Sequence, residues 1–557
     1  TVSDVNETAG NGVSDVQTTK NAADSFIKGY SAYVASVKKE IDSMSKFEPD
    51  GVAVYGDFKA DIVKNDGEYL YIVSTVADAY TGDTVEQIKI VKADPNGAME
   101  NVSTVVLSEG AEIEECIEIY LKNNTLIAIL NRYENAFAHA SEISTVAVYY
   151  DISKPYAPLK IREHVQDGEY VSSNLYENRL CLVTAKTIPV ENNSEGNEMI
   201  PSFSVNGKDI KLKAEDIFIA VNDPEASYLF VTVTDVSDFS KNTGCLAVLG
   251  CGRGIYCSAS SVAVARNFVS VEADENGNYA NLTEIYRFNI NGSSIGFSGS
   301  YIARGALVSG VSFDEDSGCM RVVTSDAKTN NIYVLDEKMN FVSGLKDVFP
   351  GEAVTGVKFI GTNCYVIAEQ NGGKTLIVDF SDPSKPKVAG MLPSKAFFGN
   401  LYAVSEKLIL GITKSKTDFE VITLTLFDVS NPENPKKLSE YKLDKNCYSV
   451  SENDSRSIMT VADKQIFGVP VVMKNSQDGT EASAYVLFDT SEGVIKPIGT
   501  YNHDISYIGD AAVRGTCIKN ILYTVSGEKV VAFLIGDKTD GENRLKEISL
   551  NKPETTD

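Results

Sequence analysis

The stretch LFDVSNPENPKK, residues 426–437, joins an apolar run to Asp, Ser and two prolines. The same order occurs in IVDFSDPSKPKV at 377–388 and in VYYDISKPYAPLK at 148–160. Asp and Ser side chains accept hydrogen bonds from nearby backbone amides, while Pro fixes φ and cannot extend a strand ladder. Each copy therefore predicts a strand that ends in a turn toward the next strand. We interpret the motif as a structural corner and not as a catalytic motif.

A repeat of strand groups begins near residue 47. Short runs rich in Val, Ile, Tyr and Phe alternate there with Gly, Asn and Asp turns, which is typical of an all-β fold. The polar residue that closes the third strand of each group recurs at intervals of 43 to 61 residues, with one interval of 84 that contains a polar insertion between strands. A period of about 40 to 50 residues is typical of β-propeller blades. These nine polar markers are Asp94, Asp151, Asp235, Asn289, Asp336, Asp379, Asp428, Asp489 and Asp537.

The nine markers leave two blade numbers open. Terminal strands commonly combine to close the ring, and ordinary propellers have about four to eight blades. We therefore expect a single large propeller over residues 47–550 with eight blades, and nine blades is the alternative. A tether at 1–20 and an α-helix at 21–46 are expected before it, and a tail at 551–557 after it. The helix is predicted from the three-to-four spacing of apolar residues at Phe26, Tyr30, Tyr33, Val34, Val37 and Ile41.

Composition narrows the choice of partners. The chain has 557 residues and a net charge of −26, whereas binding to nucleic acid needs clustered Lys and Arg, so we expect no nucleic-acid partner. No run approaches the roughly 20 apolar residues that cross a bilayer. The polar opening is typical of a tether left after removal of a signal or lipid-anchor segment, so any membrane contact would come from an anchor outside this sequence.

The cysteines and histidines predict no cofactor. Nine cysteines are an odd number and lie mostly in apolar runs, which excludes a complete disulfide framework and favours buried free thiols. Cys245, Cys251 and Cys257 are spaced by six residues, and we interpret them as core thiols in preference to metal ligands. The sequence has no His-Glu-x-x-His and no Cys-x-x-Cys motif. No motif predicts bound Ca²⁺ either, although such binding is left open.

Several phrases occur in the order typical of one protein family. Among them are ADIVKNDGEYLYIVS at 60, FPGEAVTGVKFIGTNCYVIA at 349 and ILYTVSGEKVVAF at 521. In these phrases the chain resembles a family of bacterial and archaeal secreted proteins with a C-terminal β-propeller domain, over nearly all of 47–540. The resemblance implies a propeller on an exported, often lipid-anchored protein, in a family without an assigned activity. Where relatives carry an Asp-His-Lys run, this chain has Asp454, Ser455 and Arg456.

Few residues are candidates for a polar site. Asp314 and Glu315 precede Arg321 in SFDEDSGCMR at 312, where a strand pair would bring Arg321 against one carboxylate. At a channel mouth these side chains could bind a polar ligand, but a turn with a local salt bridge is the favoured interpretation. Further candidate ligand-binding residues are Glu352, Asp454, Arg456 and His503.

Two functions remain. The first is a noncatalytic binding or scaffold module of the cell envelope, outside the cytoplasm, which recognises a protein or glycan through loops on a propeller face. The absence of Trp makes sugar binding a weaker hypothesis, because Trp offers the largest aromatic surface on which a sugar ring can stack. The alternative is a glycan hydrolase or lyase that uses carboxylates at the central channel mouth. Such an enzyme needs two acids within roughly 5 to 10 Å of each other, and we assign no catalytic residue.

Overall fold

A computed structural model describes most of the chain. The described residues are 60–551 except for 78–83, 108–112, 135–141, 189–199, 221–226, 251–253, 259, 271–278, 293, 309–311, 327–328, 369–372, 395–397, 399, 415–420, 444–446, 450, 452–453, 462–463, 475–480, 505–510 and 537–542. The tether expected at 1–20 and the helix expected at 21–46 lie outside the described residues. Among the residues described, no helix is both long and apolar enough to span a membrane.

The described chain forms nine β-sheets, which we number as blades 1 to 9. Blade 1 contains β1 (Val63–Asn65), β2 (Tyr69–Ala77), β3 (Thr84–Ala93) and β4 (Met99–Val106). Blade 2 contains β5 (Ile113–Lys122), β6 (Thr125–Glu134), β7 (Glu142–Asp151) and β8 (Leu159–Asp167). Blade 3 and the insertion within it contain β9 (Glu169–Tyr176), β10 (Arg179–Thr187), β11 (Ser202–Val205), β12 (Lys208–Lys211), a 3₁₀ turn (Ala214–Asp216), β13 (Ile217–Ile219), β14 (Ser227–Asp235) and β15 (Gly244–Leu249).

The remaining six blades follow in chain order. Blade 4 contains β16 (Gly254–Cys257), β17 (Ser261–Val269), β18 (Asn281–Asn291) and β19 (Ser294–Arg304), and blade 5 contains β20 (Ala306–Leu307), β21 (Phe313–Asp316), β22 (Cys319–Ser325), β23 (Asn330–Leu335) and β24 (Phe341–Leu345). Blade 6 contains β25 (Val354–Ile360), β26 (Asn363–Ala368), β27 (Lys374–Asp379) and β28 (Lys387–Met391), and blade 7 contains β29 (Asn400–Ala403), β30 (Leu408–Lys414), β31 (Ile422–Asp428) and β32 (Lys436–Lys442). Blade 8 contains β33 (Cys447–Tyr448), a 3₁₀ turn (Ser455–Ser457), β34 (Met459–Val461), β35 (Ile466–Lys474), β36 (Glu481–Asp489) and β37 (Lys496–Asn502), and blade 9 contains β38 (Arg514–Ile518), β39 (Ile521–Val525), β40 (Lys529–Leu534) and β41 (Arg544–Ser549).

Burial explains the residue types along each blade. The two middle strands pack against neighbouring blades on both faces, so β39 (ILYTV) is buried at all five positions and is continuously apolar, as strands covered on both faces are. The outer strands have one face in solvent, and β32 (KKLSEYK) contains no fully buried residue. The all-β propeller predicted from the sequence is confirmed.

The repeated Asp-x-Ser corners are turns that follow the third strand of a blade. The backbone N–H of Ser430 donates to Oδ1 of Asp428 at 2.9 Å, and that of Ser381 donates to Asp379 at 2.8 Å. The same bond forms at Asp151, Asp235 and Asp489. These bonds fix the turn into the outer strand, which is the structural role that we predicted for the motif.

The corners of blades 2, 6 and 7 also contact the outer strand of the preceding blade. Ser103 on β4 donates through Oγ to the carbonyl of Pro155 in the corner of blade 2, at 2.6 Å. Ser343 on β24 makes the same bond to Pro383 of blade 6, also at 2.6 Å. On β28 the small residue is Gly390, where a Cβ would lie 2.5 Å from the carbonyl oxygen of Pro432. At these three interfaces the corner of one blade therefore packs against a small residue on the outer strand of the blade before it.

Hydrophobic clusters join every blade to its neighbour. For example, one cluster combines Ile88 and Ile90 of blade 1 with Ile119 and Leu126 of blade 2. Eight of these clusters link successive blades from 1 to 9. A ninth cluster links the two ends of the ring and contains Leu70, Ile72, Val91, Met99, Ile518, Tyr523, Val530 and Leu550.

The ring has nine blades, so the expected number of eight is wrong and the nine-blade alternative is correct. We expected strands from the two chain ends to combine in one sheet and remove one blade. Instead, β1 to β4 form one complete sheet and β38 to β41 form another. The ring closes because the faces of these two sheets pack together.

The insertion in the long interval lies between the second and third strands of blade 3. The hairpin of β11 and β12 pairs with β8 and so extends the outer edge of blade 2. The strand β13 pairs in parallel with β15 on the outer edge of blade 3. Phe203 of the hairpin packs with Phe230 of blade 3, with ring centroids 6.2 Å apart. The insertion therefore adds a second contact between blades 2 and 3, at their outer edges.

Replacing Asp428 tests the structural role of the corners. We expect Asp428→Ala to lower the free energy of unfolding by about 1 kcal/mol, because it removes the acceptor for the Ser430 amide. Asp428→Asn keeps an oxygen acceptor and should retain most of that stability. Urea unfolding of the two variants measures the difference. Equal destabilisation by Ala and Asn would show that the hydrogen bond is not what stabilises the corner.

Candidate functional site

The polar side chains of interest lie where blades 1, 2, 8 and 9 approach one another. Asp61 precedes the innermost strand of blade 1, and its backbone pairs with Ile119 of blade 2 through bonds of 3.3 and 2.8 Å. Glu118 lies on β5, Arg514 begins β38, and Asp454 and Arg456 lie at the 3₁₀ turn of blade 8. We call the set of Asp61, Glu118, Asp454, Arg456 and Arg514 the closure cluster.

Arg514 connects three blades. Its Nε donates to Oδ1 of Asp61 at 2.6 Å, and its Nη2 donates to Oδ2 of Asp454 at 2.5 Å. Nη1 donates to the carbonyl of Val513 at 2.9 Å. The Arg514 side chain is only 5% exposed, so its charge is balanced by carboxylates that come from blades 1 and 8.

Asp454 lies between two guanidinium groups. Its Oδ1 accepts from the backbone N–H and from Nε of Arg456, both at 3.0 Å. Burial alone would raise the pKa of Asp454, but the hydrogen bond from Arg456 and the charges of Arg514 and Arg456 outweigh it and lower the pKa to about 2. Asp454 therefore stays ionised at neutral pH, and it holds the Arg456 guanidinium on one side.

Glu118 has the opposite electrostatic environment. Its Oε1 accepts from the Tyr170 hydroxyl at 2.6 Å and from the Ser173 hydroxyl, and Oε2 lies 3.7 Å from Nη1 of Arg456. Burial raises the pKa of Glu118 above that of an ordinary glutamate, although the Ser173, Tyr170 and Arg456 contacts oppose the rise. Two carboxyl groups on either side of Arg456 therefore have pKa values shifted in opposite directions.

A cavity of about 390 Å³ adjoins the closure cluster. Asp61, Arg456 and Arg514 are the members of the cluster that line it, and the Arg456 side chain is 37% exposed. Tyr120 also lines the cavity, and Asn65 donates to the Thr516 hydroxyl at 2.6 Å. The other lining residues are Val63, Lys64, Leu121, Leu175, Ile458, Met459, Thr460 and Gly515. Blades 1, 2, 3, 8 and 9 thus all contribute to one mostly polar wall.

Of the residues suggested by the sequence, only Arg456 lines this cavity, and Asp454 belongs to the adjoining closure cluster. Sequence reasoning missed Asp61, Glu118 and Arg514, although ADIVK at 60 was among the phrases typical of the family. The missed signal is the complementary charge of Asp61 and Arg514, which stand at the starts of the innermost strands of the first and last blades.

Asp314 and Arg321 lie between blades 5 and 6 and do not line the cavity. They are directly opposite each other on β21 and β22 and form two hydrogen bonds, of 2.8 and 2.5 Å. Arg321 also donates to the carbonyl of Gly361 at 3.0 Å. Its guanidinium carbon lies 5.0 and 5.3 Å from the ring centroids of Phe359 and Phe380. The Nε, Nη1 and Nη2 atoms of this side chain therefore each donate to a group of blade 5 or blade 6.

Glu315 joins blades 4 and 5. Its Oε1 accepts from Nη2 of Arg287 at 2.7 Å, and its Oε2 accepts from the hydroxyls of Ser258, at 3.1 Å, and Ser261. The Glu315 side chain is 8% exposed. This contact resembles the Asp314–Arg321 pair. In both, a buried Arg side chain binds a carboxylate near the interface of two adjacent blades.

Glu352 and His503 lie elsewhere in the ring. Glu352 is buried before β25 and accepts from Nζ of Lys374. His503 is fully buried, and its Nδ1 is 2.7 Å from the Thr524 hydroxyl. Burial, together with the charges of Lys529 and Arg544, lowers the pKa of His503 to about 3. Neither side chain lines the cavity. Within the described ranges, no group of three or more His, Cys, Asp and Glu side chains is placed to hold a metal ion.

Replacing Arg514 tests the closure cluster. We expect Arg514→Met to lower the free energy of unfolding by about 3 to 5 kcal/mol, because removal of a buried cation leaves its carboxylate partners uncompensated. Adding Asp61→Asn should restore part of the loss. The matched control is Arg544→Met, since Arg544 also pairs with two acids but lies on the outer strand β41, where such pairs contribute at most about 1 kcal/mol. Equal losses for the two Arg variants in urea unfolding would contradict the assignment.

The raised pKa of Glu118 predicts a specific pH dependence. A carboxyl group whose pKa is raised by folding makes its full contribution to stability below its unfolded pKa of about 4.3. This contribution is lost as the pH rises through the folded pKa. The Gln side chain of Glu118→Gln cannot ionise. The free energy of unfolding of this variant should therefore increase relative to that of the wild type as the pH rises from about 4.3 toward neutrality. Unfolding across this range measures the difference, with Glu492→Gln on the exposed surface as the control. A difference that does not change with pH would contradict the prediction.

Comparison with known proteins is consistent with the geometry. The family model described as Beta propeller domain matches residues 54–537. An uncharacterised protein of Methanocaldococcus jannaschii is 24% identical over 554 residues, which cover 86% of this chain and 80% of that protein. An uncharacterised protein of Archaeoglobus fulgidus is 26% identical over 230 residues, which cover 41% of this chain and 34% of that protein. Among solved structures, apo AztD from Citrobacter koseri is similar with 11% identity and a TM-score of 0.37, over 88% of this chain and 97% of that chain. Because the family model matches most of its length, the chain belongs to the beta propeller domain family.

Proposed function

We propose that this propeller is a noncatalytic binding module of the cell envelope, which works outside the cytoplasm and takes a polar group of a glycan or protein partner into the cavity beside the closure cluster. The observation that carries this proposal is the placement of Arg456. Asp454 holds its guanidinium through Nε, while the side chain lines the cavity and is 37% exposed. A cation fixed in this way is preorganised to bind a carboxylate or hydroxyl without first being ordered.

The other residues of the cavity and of the closure cluster suit binding better than catalysis. Asp61 and Asp454 share the guanidinium of Arg514, so both carboxylates already accept strong hydrogen bonds. With its pKa near 2, Asp454 cannot serve as a proton donor at neutral pH. Asn65, Thr460 and Thr516 add amide and hydroxyl groups to the wall. Neutral donors beside an accessible cation are typical of a site that orients a polar ligand.

The enzyme alternative is supported by one observation. Glu118 and Asp454 have pKa values shifted in opposite directions on either side of Arg456, and such pairs can mark an acid and a base. Glu118 is not among the cavity-lining residues, however, and its Oε1 accepts from Tyr170 and Ser173. A glycan hydrolase or lyase would need movement that exposes this carboxyl group to the substrate.

The proposal also specifies the location of the protein and its need for cofactors. The placement outside the cytoplasm is supported by the resemblance of the repeat phrases to those of exported propellers. No cofactor is included, so binding should persist in EDTA. A net charge of −26 opposes association with nucleic acid.

Binding to envelope material tests the function. The full chain is applied in EDTA to an array of acidic and neutral cell-surface glycans, and separately to solubilised envelope proteins. We expect Arg456→Gln to weaken retention roughly 10-fold to 100-fold, because a hydrogen bond to a charged group contributes about 1.5 to 3 kcal/mol. Arg544→Gln, on an outer strand, should bind as the wild type does.

Three results would contradict the binding proposal. They are the absence of any retained glycan or protein, retention that does not depend on Arg456, and turnover of a retained glycan. Turnover that is lost in Glu118→Gln would support the enzyme alternative instead.

A further inference from the structure

Two cysteines meet at the interface between blades 3 and 4. The Sγ atoms of Cys181 on β10 and Cys257 on β16 are 3.1 Å apart. Non-bonded carbon atoms pack at about 3.5 to 4.0 Å, so these two larger sulfur atoms are closer than ordinary packing would place them. Both residues are buried, with 4% and 6% exposure, in a cluster that includes Val183 and Val264.

The backbone around this pair is already held together. Asn174 on β9 donates through Nδ2 to the carbonyl oxygen of Cys257 at 2.9 Å, which ties β16 of blade 4 to blade 3. A disulfide needs its sulfur atoms at about 2.05 Å. Bond formation therefore requires the two sulfur atoms to approach by roughly 1 Å.

We propose that Cys181 and Cys257 are a site of thiol–disulfide exchange, which a small-molecule or protein disulfide converts into a covalent link between blades 3 and 4. In this step the two thiols lose two protons and two electrons and form one S–S bond. The donor disulfide takes up both electrons and both protons, and it leaves as two thiols. The inference does not depend on the proposed function.

Burial determines when the exchange takes place. The thiolate is the form that attacks a disulfide, and the pKa of Cys257 is raised by its contact with Cys181 and by burial. Exchange is therefore slow in the closed ring, and it takes place while the chain folds and the blade interface is still accessible. The resulting bond closes a segment of 76 residues, which restricts the unfolded chain and stabilises the folded one.

Other described cysteines have different neighbours. Cys116 lies 4.0 Å from the carbonyl oxygen of Glu118, and Cys517 lies 3.5 Å from Sδ of Met459. The interpretation of Cys245 and Cys257 as core thiols agrees with their partial or full burial, but the neighbour of Cys257 in space is Cys181. Cys251 is outside the described residues.

Thiol counting and peptide mapping test the proposal. The full chain is produced in one host both with an export signal, in an oxidising compartment, and without one, in the cytoplasm. Free thiols are blocked with N-ethylmaleimide in denaturant immediately after lysis, and the protein is analysed by mass spectrometry. We expect two of the nine cysteines to escape blocking in the exported protein alone, and a peptide that joins residues 181 and 257 to appear. Refolding the reduced chain in a glutathione redox buffer provides a second route to the same products.

Variants separate this pair from other thiols. Cys181→Ala and Cys257→Ala should each abolish the loss of reactive thiols, whereas Cys364→Ala, buried in blade 6, should leave it unchanged. The wild-type peptide map does not depend on the folding of any variant. Full blocking of all cysteines after both routes would overturn the proposal, as would a crosslink that joins any other two cysteines.

Discussion

Closure of the ring depends on the contact between blade 1 and blade 9. Each blade consists of strands that are close in sequence, and no sheet of the described chain combines strands from its two ends. Only packing between the two terminal blades therefore completes the circle, through one shared hydrophobic cluster and through Arg514 with its two acids. The eight other hydrophobic clusters between blades each join blades that are neighbours in sequence. This one must be specified by residues about 450 positions apart, as the Asp61 to Arg514 separation shows.

The charged part of this contact has a consequence for the cavity. A buried ion pair often contributes little net stability, because desolvation offsets attraction. We infer that the closure cluster instead specifies which blades meet, because Arg514 of blade 9 pairs with Asp61 of blade 1. Asp61, Arg456 and Arg514 of this cluster also line the cavity, so the polar site and the closed ring are formed together. A ligand bound to Arg456 would contact groups from both chain ends and would stabilise the closed ring.

Local features of the fold could be predicted from the sequence, and non-local ones could not. The corners after Asp379 and Asp428 depend on bonds across two residues, so their role was evident from the motif. The number of blades depends on how distant strands pair, which no local pattern encodes. The small residues that pack against the corners, such as Ser103 and Gly390, were missed because the corners that they contact belong to the next blade. Asp314 and Arg321 pair as the strand register suggests, but Phe359 and Phe380 enclose them from a part of the chain that the motif does not include.

The same distinction applies to the site. Asp454 and Arg456 were recognised from their position in a family phrase, whereas Asp61 and Arg514 acquire meaning only when the ring is closed. Glu118 lies in a strand that reads as alternating acid and apolar residues, and its burial becomes visible only when Tyr170 of the next blade covers it. Charge complementarity between the innermost strands of the first and last blades is the sequence signal that would have identified the cluster.

A crystal structure of the full chain tests the central claim most directly, because it shows the pairing of every strand at the two ends. The account predicts nine separate sheets, with the Arg514 guanidinium between the carboxylates of Asp61 and Asp454 where blade 9 packs against blade 1. A strand from the N-terminal region inserted into the last sheet, to give eight blades, would contradict it. So would an open ring in which Arg514 does not reach Asp61.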